Sequence, residues 1–204
     1  MRPKDVRIRL AGPADADHLL VIYGPHCTDG LASFETVAPT GEEMAERIRT
    51  TITTYPWLVA VDAATGEVVG YAYASRHRAR EGYRWSVDVA VYLAARAAGR
   101  GLGRGLYERL LAVLEAQRYH RAYAGIALPN DASVALHRAL GFELVGTYRE
   151  VGFKHGAWHD VQWWSRGLAD GALPPTEPIA LRDLPPAVLA DLRDLARPSS
   201  GCVG

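Results

Sequence analysis

The segment Gly99-Arg100-Gly101-Leu102-Gly103-Arg104-Gly105 constrains this chain most, because it stands between an apolar strand pattern and an amphipathic helix pattern. Glycines at alternate positions let the backbone bend sharply and come close to a ligand. A helix starting there points its first N–H groups, and about half an elementary positive charge, at whatever lies before it, which suits a phosphate. Arg100 and Arg104 favour that reading over a turn that only joins two elements. Two common phosphate fingerprints do not fit. The third glycine of G-x-G-x-x-G falls on Leu106 or Arg104, depending on which glycine opens the pattern, and no Gly-Lys-Ser/Thr follows as in a phosphate-loop NTPase.

Strand and helix patterns alternate on both sides of this loop. Val6, Ile8 and Leu10 recur every second residue, as in a half-buried strand, and Leu19, Leu20, Ile22 and Tyr23 follow at helical spacing. Thr40 and Glu43 form a capping-box pattern ahead of Met44, Ile48 and Ile52, which predicts a second helix. Residues 57–61, 68–75 and 83–92 are rich in β-branched and aromatic types and predict a meander, with a turn at Ala63-Ala64-Thr65-Gly66. A helix follows from about Gly103, with Leu106, Leu110, Val113 and Leu114 on one face. Residues 122–127 predict a buried strand and 131–140 a helix stopped by Gly141. Residues 144–153 and 158–165 predict a hairpin turning at His155-Gly156. The order βααβββαβαββ describes an α/β protein with a mixed sheet and flanking helices.

The 204 residues fit one such domain over 1–168 and a Pro-rich C-terminal tail over 169–204, with a short amphipathic stretch at 188–195. With 23 Lys and Arg against 23 Asp and Glu, no global field draws in a polyanion, and no nucleic acid is expected as a partner. No run approaches about 18 uninterrupted apolar residues, and residues 1–10 lack the apolar core of a secretory leader, so no membrane association is expected. Cys27 and Cys202 are too few for a disulfide framework or a multi-cysteine metal site, which makes the cytoplasm the expected location. His155 and His159 are separated by the Gly156 turn and lack a third ligand, so no metal is expected.

A second signal lies downstream, where Asn130, Ser133 and His137 share one face of the helix after the buried strand. Taken alone, a histidine such as His137 is more often a surface or packed residue than a catalytic one. Together, the strand Val87-Asp88-Val89-Ala90-Val91-Tyr92, the R-G-L-G loop with its helix, and the run L-P-N-D-A-S-V-A-L-H-R-A-L-G-F resemble the acetyl-CoA-binding core of the GNAT superfamily of N-acetyltransferases. YPWLVAV, GYAYASRHRAREGYRW and GFKHGAWHDVQWW narrow the resemblance to the phosphinothricin N-acetyltransferase group, over residues 6–168.

The resemblance implies a GNAT acyl-CoA N-acyltransferase fold with acetyl-CoA as co-substrate. It places the pantetheine arm along the backbone of Val89, Ala90 and Val91, and the pyrophosphate on amides from Arg100, Gly101, Leu102, Gly103 and Arg104. Asn130 and Ser133 lie beside the cofactor in this scheme. The Q/R-x-x-G-x-G signature fits in two frames. Arg96 opens it with Gly99 and Gly101, whereas Ala98 stands at its start with Gly101 and Gly103; the helix pattern favours the later frame.

Acetyl transfer from a thioester to an amine requires the ammonium form to lose a proton. Asp88 falls where the subfamily has a glutamate base and, being one methylene shorter, acts through water unless burial raises its pKa. His137 is the implied proton donor to the departing thiolate, with Tyr107 the second candidate, and the amide of Val89 or Ala90 polarises the thioester carbonyl. Phe34, Tyr73, Arg78, Arg80 and Tyr83 match the subfamily's amino-acid site, although each arginine also fits a solvated loop. The implied activity is acetylation of the free amine of phosphinothricin or a similar amino acid such as methionine sulfone, by a homodimer. The alternatives are acetylation of another small amine and a non-catalytic acyl-CoA-binding module.

Overall fold

The computed structural model describes residues 6–169 and 171–189. Its strands are Val6–Leu10 (β1), Trp57–Asp62 (β2), Val68–Arg76 (β3), Ser86–Leu93 (β4), Arg121–Ala127 (β5), Glu143–Lys154 (β6) and Ala157–Gly167 (β7). The helices are Ala16–Thr28 (α1), Gly41–Thr51 (α2), Leu102–Ala116 (α3) and Asp131–Ala139 (α4). The strands form one sheet in the order β1-β2-β3-β4-β5-β7-β6, and the succession of elements follows the sequence patterns.

Local chemistry accounts for several boundaries. Thr40 caps α2 reciprocally: its N–H donates to Glu43 Oε2 at 2.7 Å, and its Oγ1 accepts from the Glu43 N–H at 3.2 Å. The third meander strand begins at Ser86 rather than Tyr83. Glu81–Tyr83 form a 3-10 turn, and the Tyr83 N–H donates locally to the Arg80 carbonyl at 3.1 Å.

The sheet is covered on both faces. On one, Leu106, Leu110 and Leu114 of α3 pack on Leu58, Val87, Val89 and Ala122. On the other, Leu19 and Ile22 of α1 and Met44 and Ile48 of α2 pack on Trp57, Val59 and Tyr71. Side chains alternate between faces along a strand, so Val87 and Val89 turn toward α3, whereas Asp88, Ala90 and Tyr92 turn toward the α1 side. Tyr92 there meets Tyr23 edge-on at 5.1 Å.

One discontinuity in the sheet positions the site. β4 and β5 pair in parallel only at Ser86↔Arg121, Val87↔Ala122 and Asp88↔Tyr123. Beyond Asp88 they part, β4 continuing against β3 to Leu93 and β5 against β7 to Ala127. The fork leaves backbone groups on the facing edges without ladder partners.

The Pro-rich segment docks on the α3 side over its described length. Leu181 and Leu184 are buried in that core, and the Gln117 side chain donates to the Thr54 and Ile179 carbonyls at 2.7 and 2.8 Å. Of the amphipathic stretch 188–195, Val188 and Leu189 pack against the same core, and the remainder lies outside the described residues.

Candidate active site

The fork opens into a cleft of about 490 Å³ lined by Val89–Leu93 of β4, Ala124–Ala127 of β5, the start of α3 and the start of α4. The Ala94 N–H donates to Val69 of β3 at 3.0 Å, which fixes the alternation along β4. Tyr92 and Ala90 therefore direct their backbone groups to β3, and Leu93, Val91 and Val89 direct theirs to the gap. An extended ligand can pair with β4 there as an added strand. Of the two amides considered for the thioester carbonyl, Val89's faces the gap; Ala90's belongs to the β3 ladder.

The glycine loop closes one end of the cleft. Gly99 (φ 73°) and Gly101 (φ 77°) take left-handed conformations that disfavour any other residue, and α3 begins at Leu102. Gly103 lies in the first helical turn, where an added Cβ would stand 3.3 Å from Leu136 Cδ2. The left-handed turns thus fall at Gly99 and Gly101 and Gly103 packs in the first helical turn, an arrangement compatible with either frame of the signature. The Gly105 N–H already donates to the Gly101 carbonyl, so the open amides at the helix start are those of Leu102, Gly103 and Arg104. The Arg104 guanidinium is held by Glu108, Nε to Oε1 2.7 Å, and Arg100 is exposed off the cleft wall.

Asn130 caps α4, its Oδ1 accepting from the Ser133 N–H at 3.1 Å, and both residues line the cleft. His137 lines it too but is only 3% exposed. Its Nδ1 lies 2.7 Å from the Ser133 carbonyl, which requires a proton on Nδ1, and its Nε2 lies 3.1 Å from Tyr107 Oη. Burial pushes His137 below the usual histidine range, partly offset by the Ser133 carbonyl. The imidazole is therefore neutral at neutral pH and accepts from the Tyr107 hydroxyl. Burial also holds the Tyr107 phenol far above its ordinary range.

Asp88 occupies the last paired position before the fork. His77 Nδ1 stands 2.6 Å from its Oδ1. Burial raises the Asp88 carboxyl above the usual range, against the opposing hydrogen bond from His77 and the fields of His77 and Arg78. His77 also stacks on Tyr123 with ring centroids 4.3 Å apart.

A second cavity of about 500 Å³ adjoins the cleft, sharing Ala32, Gly125 and Ala127 with it. Phe34, Arg78, Tyr148 and Trp163 are in its walls, and the Arg78 guanidinium lies 5.9 Å from the Trp163 ring centre. Phe34 lies so close over Gly152 that any side chain there would collide with its ring. The other expected substrate residues stand elsewhere. Tyr73 is stacked on Trp57 at 4.4 Å, Arg80 is exposed off both walls, and Tyr83 meets His77 edge-on at 6.1 Å.

His77, Tyr148 and Trp163 carry no individual signal in the sequence. His77 was legible only through strand register: Ser75 pairs with Asp88, so the residue two further on is a diagonal neighbour on the same face. Among the described residues, no cluster of three or more His, Cys, Asp or Glu could hold a metal, and no helix is long and apolar enough to cross a membrane.

Comparison with known proteins finds the same pattern. Residues 8–163 match the family model described as Acetyltransferase (GNAT) domain. The chain is 40% identical to phosphinothricin N-acetyltransferase of Streptomyces viridochromogenes over 177 residues, 86% of this chain and 96% of that protein. It is 39% identical to an L-methionine sulfoximine/L-methionine sulfone acetyltransferase of Pseudomonas aeruginosa over 162 residues, 79% and 94% of the two chains. The crystal structure of a GNAT superfamily phosphinothricin acetyltransferase from Sinorhizobium meliloti in complex with AcCoA superposes with a TM-score of 0.78 at 37% identity. That match covers 85% of this chain and 98% of the other.

Proposed function

The chain belongs to the GNAT acetyltransferase family, and from that premise we propose that it transfers acetyl from acetyl-CoA to the free amine of phosphinothricin or a similar small acidic amino acid such as methionine sulfone. The observation that carries the reading is the junction of two cavities at Gly125 and Ala127, one lined by open backbone and a helix start, the other holding Arg78. Acetyl-CoA, when bound, supplies the acetyl group already activated as a thioester. The gap-facing backbone of Val89 and Val91 fits its amide-bearing arm, and the amides of Leu102, Gly103 and Arg104 fit its phosphates.

Within that frame each residue has a task. Arg78 holds the acceptor's carboxylate or phosphinate and thereby aims its amine at the fork. Asp88 takes a proton from the ammonium group, directly or through one water, and its raised pKa makes it a stronger base than an ordinary carboxylate. The Val89 N–H faces the charge that develops on the thioester oxygen. At the other end, the Tyr107 hydroxyl turns from His137 toward the departing sulfur and stabilises it by a hydrogen bond. Full proton loss from so buried a phenol is unfavourable. His137, neutral and anchored to Ser133, orients Tyr107 and is not itself the acid.

The test of the acidic-acceptor assignment is Arg78→Ala. Losing a charged hydrogen-bonding partner, about 1.5–3 kcal/mol, should raise KM for phosphinothricin roughly 10-fold or more and leave KM for acetyl-CoA unchanged. An unchanged KM for the acceptor would remove Arg78 from the site and weaken the assignment.

The reading extends to assembly and location. Tyr148, Val151, Phe153 and Trp158 of β6 and β7 are at least half exposed, a group of large apolar side chains gathered in one hairpin. We assign this face to a homodimer contact, next to the acceptor cavity that Tyr148, Val151 and Phe153 also line. The free, buried Cys27 thiol suits the reducing cytoplasm where we place the protein. Residues 1–168 would then carry the catalytic domain, with the Pro-rich segment as an appendage whose residues Ile179, Leu181, Leu184, Val188 and Leu189 pack on it.

A further inference from the structure

We propose that His77 is the positioning partner of Asp88, donating its Nδ1–H to one carboxylate oxygen and leaving the other to face the acceptor amine. The inference rests on Asp88 being the base of the proposed transfer and goes one residue further.

Three observations support it. The contact is short, 2.6 Å, and joins a side chain just beyond the end of β3 to one at the fork of β4 and β5. The imidazole is fixed by its surroundings: it stacks on Tyr123 of β5 at 4.3 Å and 12°, and the rings of Tyr83 and Trp163 meet it edge-on at 6.1 and 6.2 Å. Its side chain is 11% exposed, against 32% for Asp88. The second oxygen, Asp88 Oδ2, has no hydrogen-bond partner among the described residues. An aspartate has a single bond beyond Cβ to adjust, so fixing one oxygen fixes the direction of the other. The titratable and charged groups around the pair are Arg78 from the loop after β3, Tyr73 of β3, Tyr83 of the 3-10 turn and Tyr123 of β5.

His77→Phe keeps the ring on Tyr123 and removes the donor. A hydrogen bond to the ionised carboxylate favours the ionised form, so its loss leaves Asp88 to burial alone and raises the carboxyl pKa further. The acid-side inflection of kcat/KM should move to higher pH, kcat should fall about 10- to 100-fold, and KM for acetyl-CoA should not change. His77→Asn places an N–H near the position of Nδ1 and should recover most of the loss; His77→Gln places one near Nε2 and should not. In an Asp88→Asn background, His77→Phe should cost nothing more.

A titration of the Asp88 carboxyl carbon by 13C NMR, assigned through Asp88→Asn, reads the same pairing without any acceptor. Its midpoint should rise in His77→Phe. A wild-type protein that acetylates no amine while this midpoint still rises would overturn the transfer reading and leave the pairing in place. An unmoved midpoint, equal behaviour of the Asn and Gln variants, or an equal penalty in the Asp88→Asn background would overturn the role of His77.

Discussion

At the scale of single residues Asp88 bears the most weight, because in the proposed transfer one carboxylate at the fork accepts the acceptor's proton. Asp88→Asn should lower turnover by about 10²–10⁴ near neutral pH, where the amine is largely protonated. The deficit should shrink as pH rises and the amine becomes neutral in solution. In the wild type, the raised Asp88 pKa puts the acid limb of kcat/KM above the usual carboxylate range: activity is present with Asp88 ionised and is lost as pH falls through its pKa. A pH–rate series on both proteins checks the two statements together, and a deficit independent of pH would argue against a base. Asp88 and Arg78 were named only through the resemblance that the segments around them carry, and His137 through the helix face it shares with Asn130 together with that resemblance. His77 was not legible, since its partner is set by strand pairing rather than by chain distance. Nor was the part that His137 plays, which depends on Ser133 occupying Nδ1 and on burial lowering the imidazole pKa.

At the scale of elements, periodicity carried most of the information. The two-residue alternation of β1 and the Thr40–Glu43 box ahead of α2 specified local structure that packing did not override. Where local hydrogen bonding competed, the pattern misjudged an edge: Tyr83 and Arg84 look strand-like by composition yet close a 3-10 turn with Arg80 and Glu81. The glycine loop shows the same limit. Glycine spacing allowed two frames but did not specify the conformation, which is left-handed at Gly99 and Gly101 and helical at Gly103. The β6–β7 hairpin carries the prediction at this scale. With Phe153, Trp158 and Tyr148 buried between copies, sedimentation at micromolar concentration should give a mass near twice 22.2 kDa. Trp158→Asp should shift that mass toward the single chain, and a wild-type monomer across the range would remove the dimer.

For the whole molecule, balanced charge left no bulk field to attract an anion, so recognition falls to particular places. In the proposed reading the phosphates fall to open helix amides, Arg104 being engaged by Glu108, and the acidic acceptor to Arg78 in the second cavity. The fold follows from that economy. A mixed sheet that parts between β4 and β5 exposes backbone in one cavity where the other adjoins it, and Asp88 stands at the last paired position of that fork, outside the lining of both cavities. The order of elements was readable because each carries a local signal: alternation in β1, a capping box ahead of α2, a one-sided apolar face in α3, and short β-branched or aromatic runs in β2 and β3. The fork was not, because it arises from which strands stop pairing. The central claim is acetyl transfer to the amine of a small acidic amino acid, and its most direct test is CoA thiol release from acetyl-CoA across phosphinothricin, methionine sulfone, the common amino acids and polyamines. The account predicts the highest kcat/KM for phosphinothricin and methionine sulfone; a preference for polyamines, or no release with any acceptor, would contradict it.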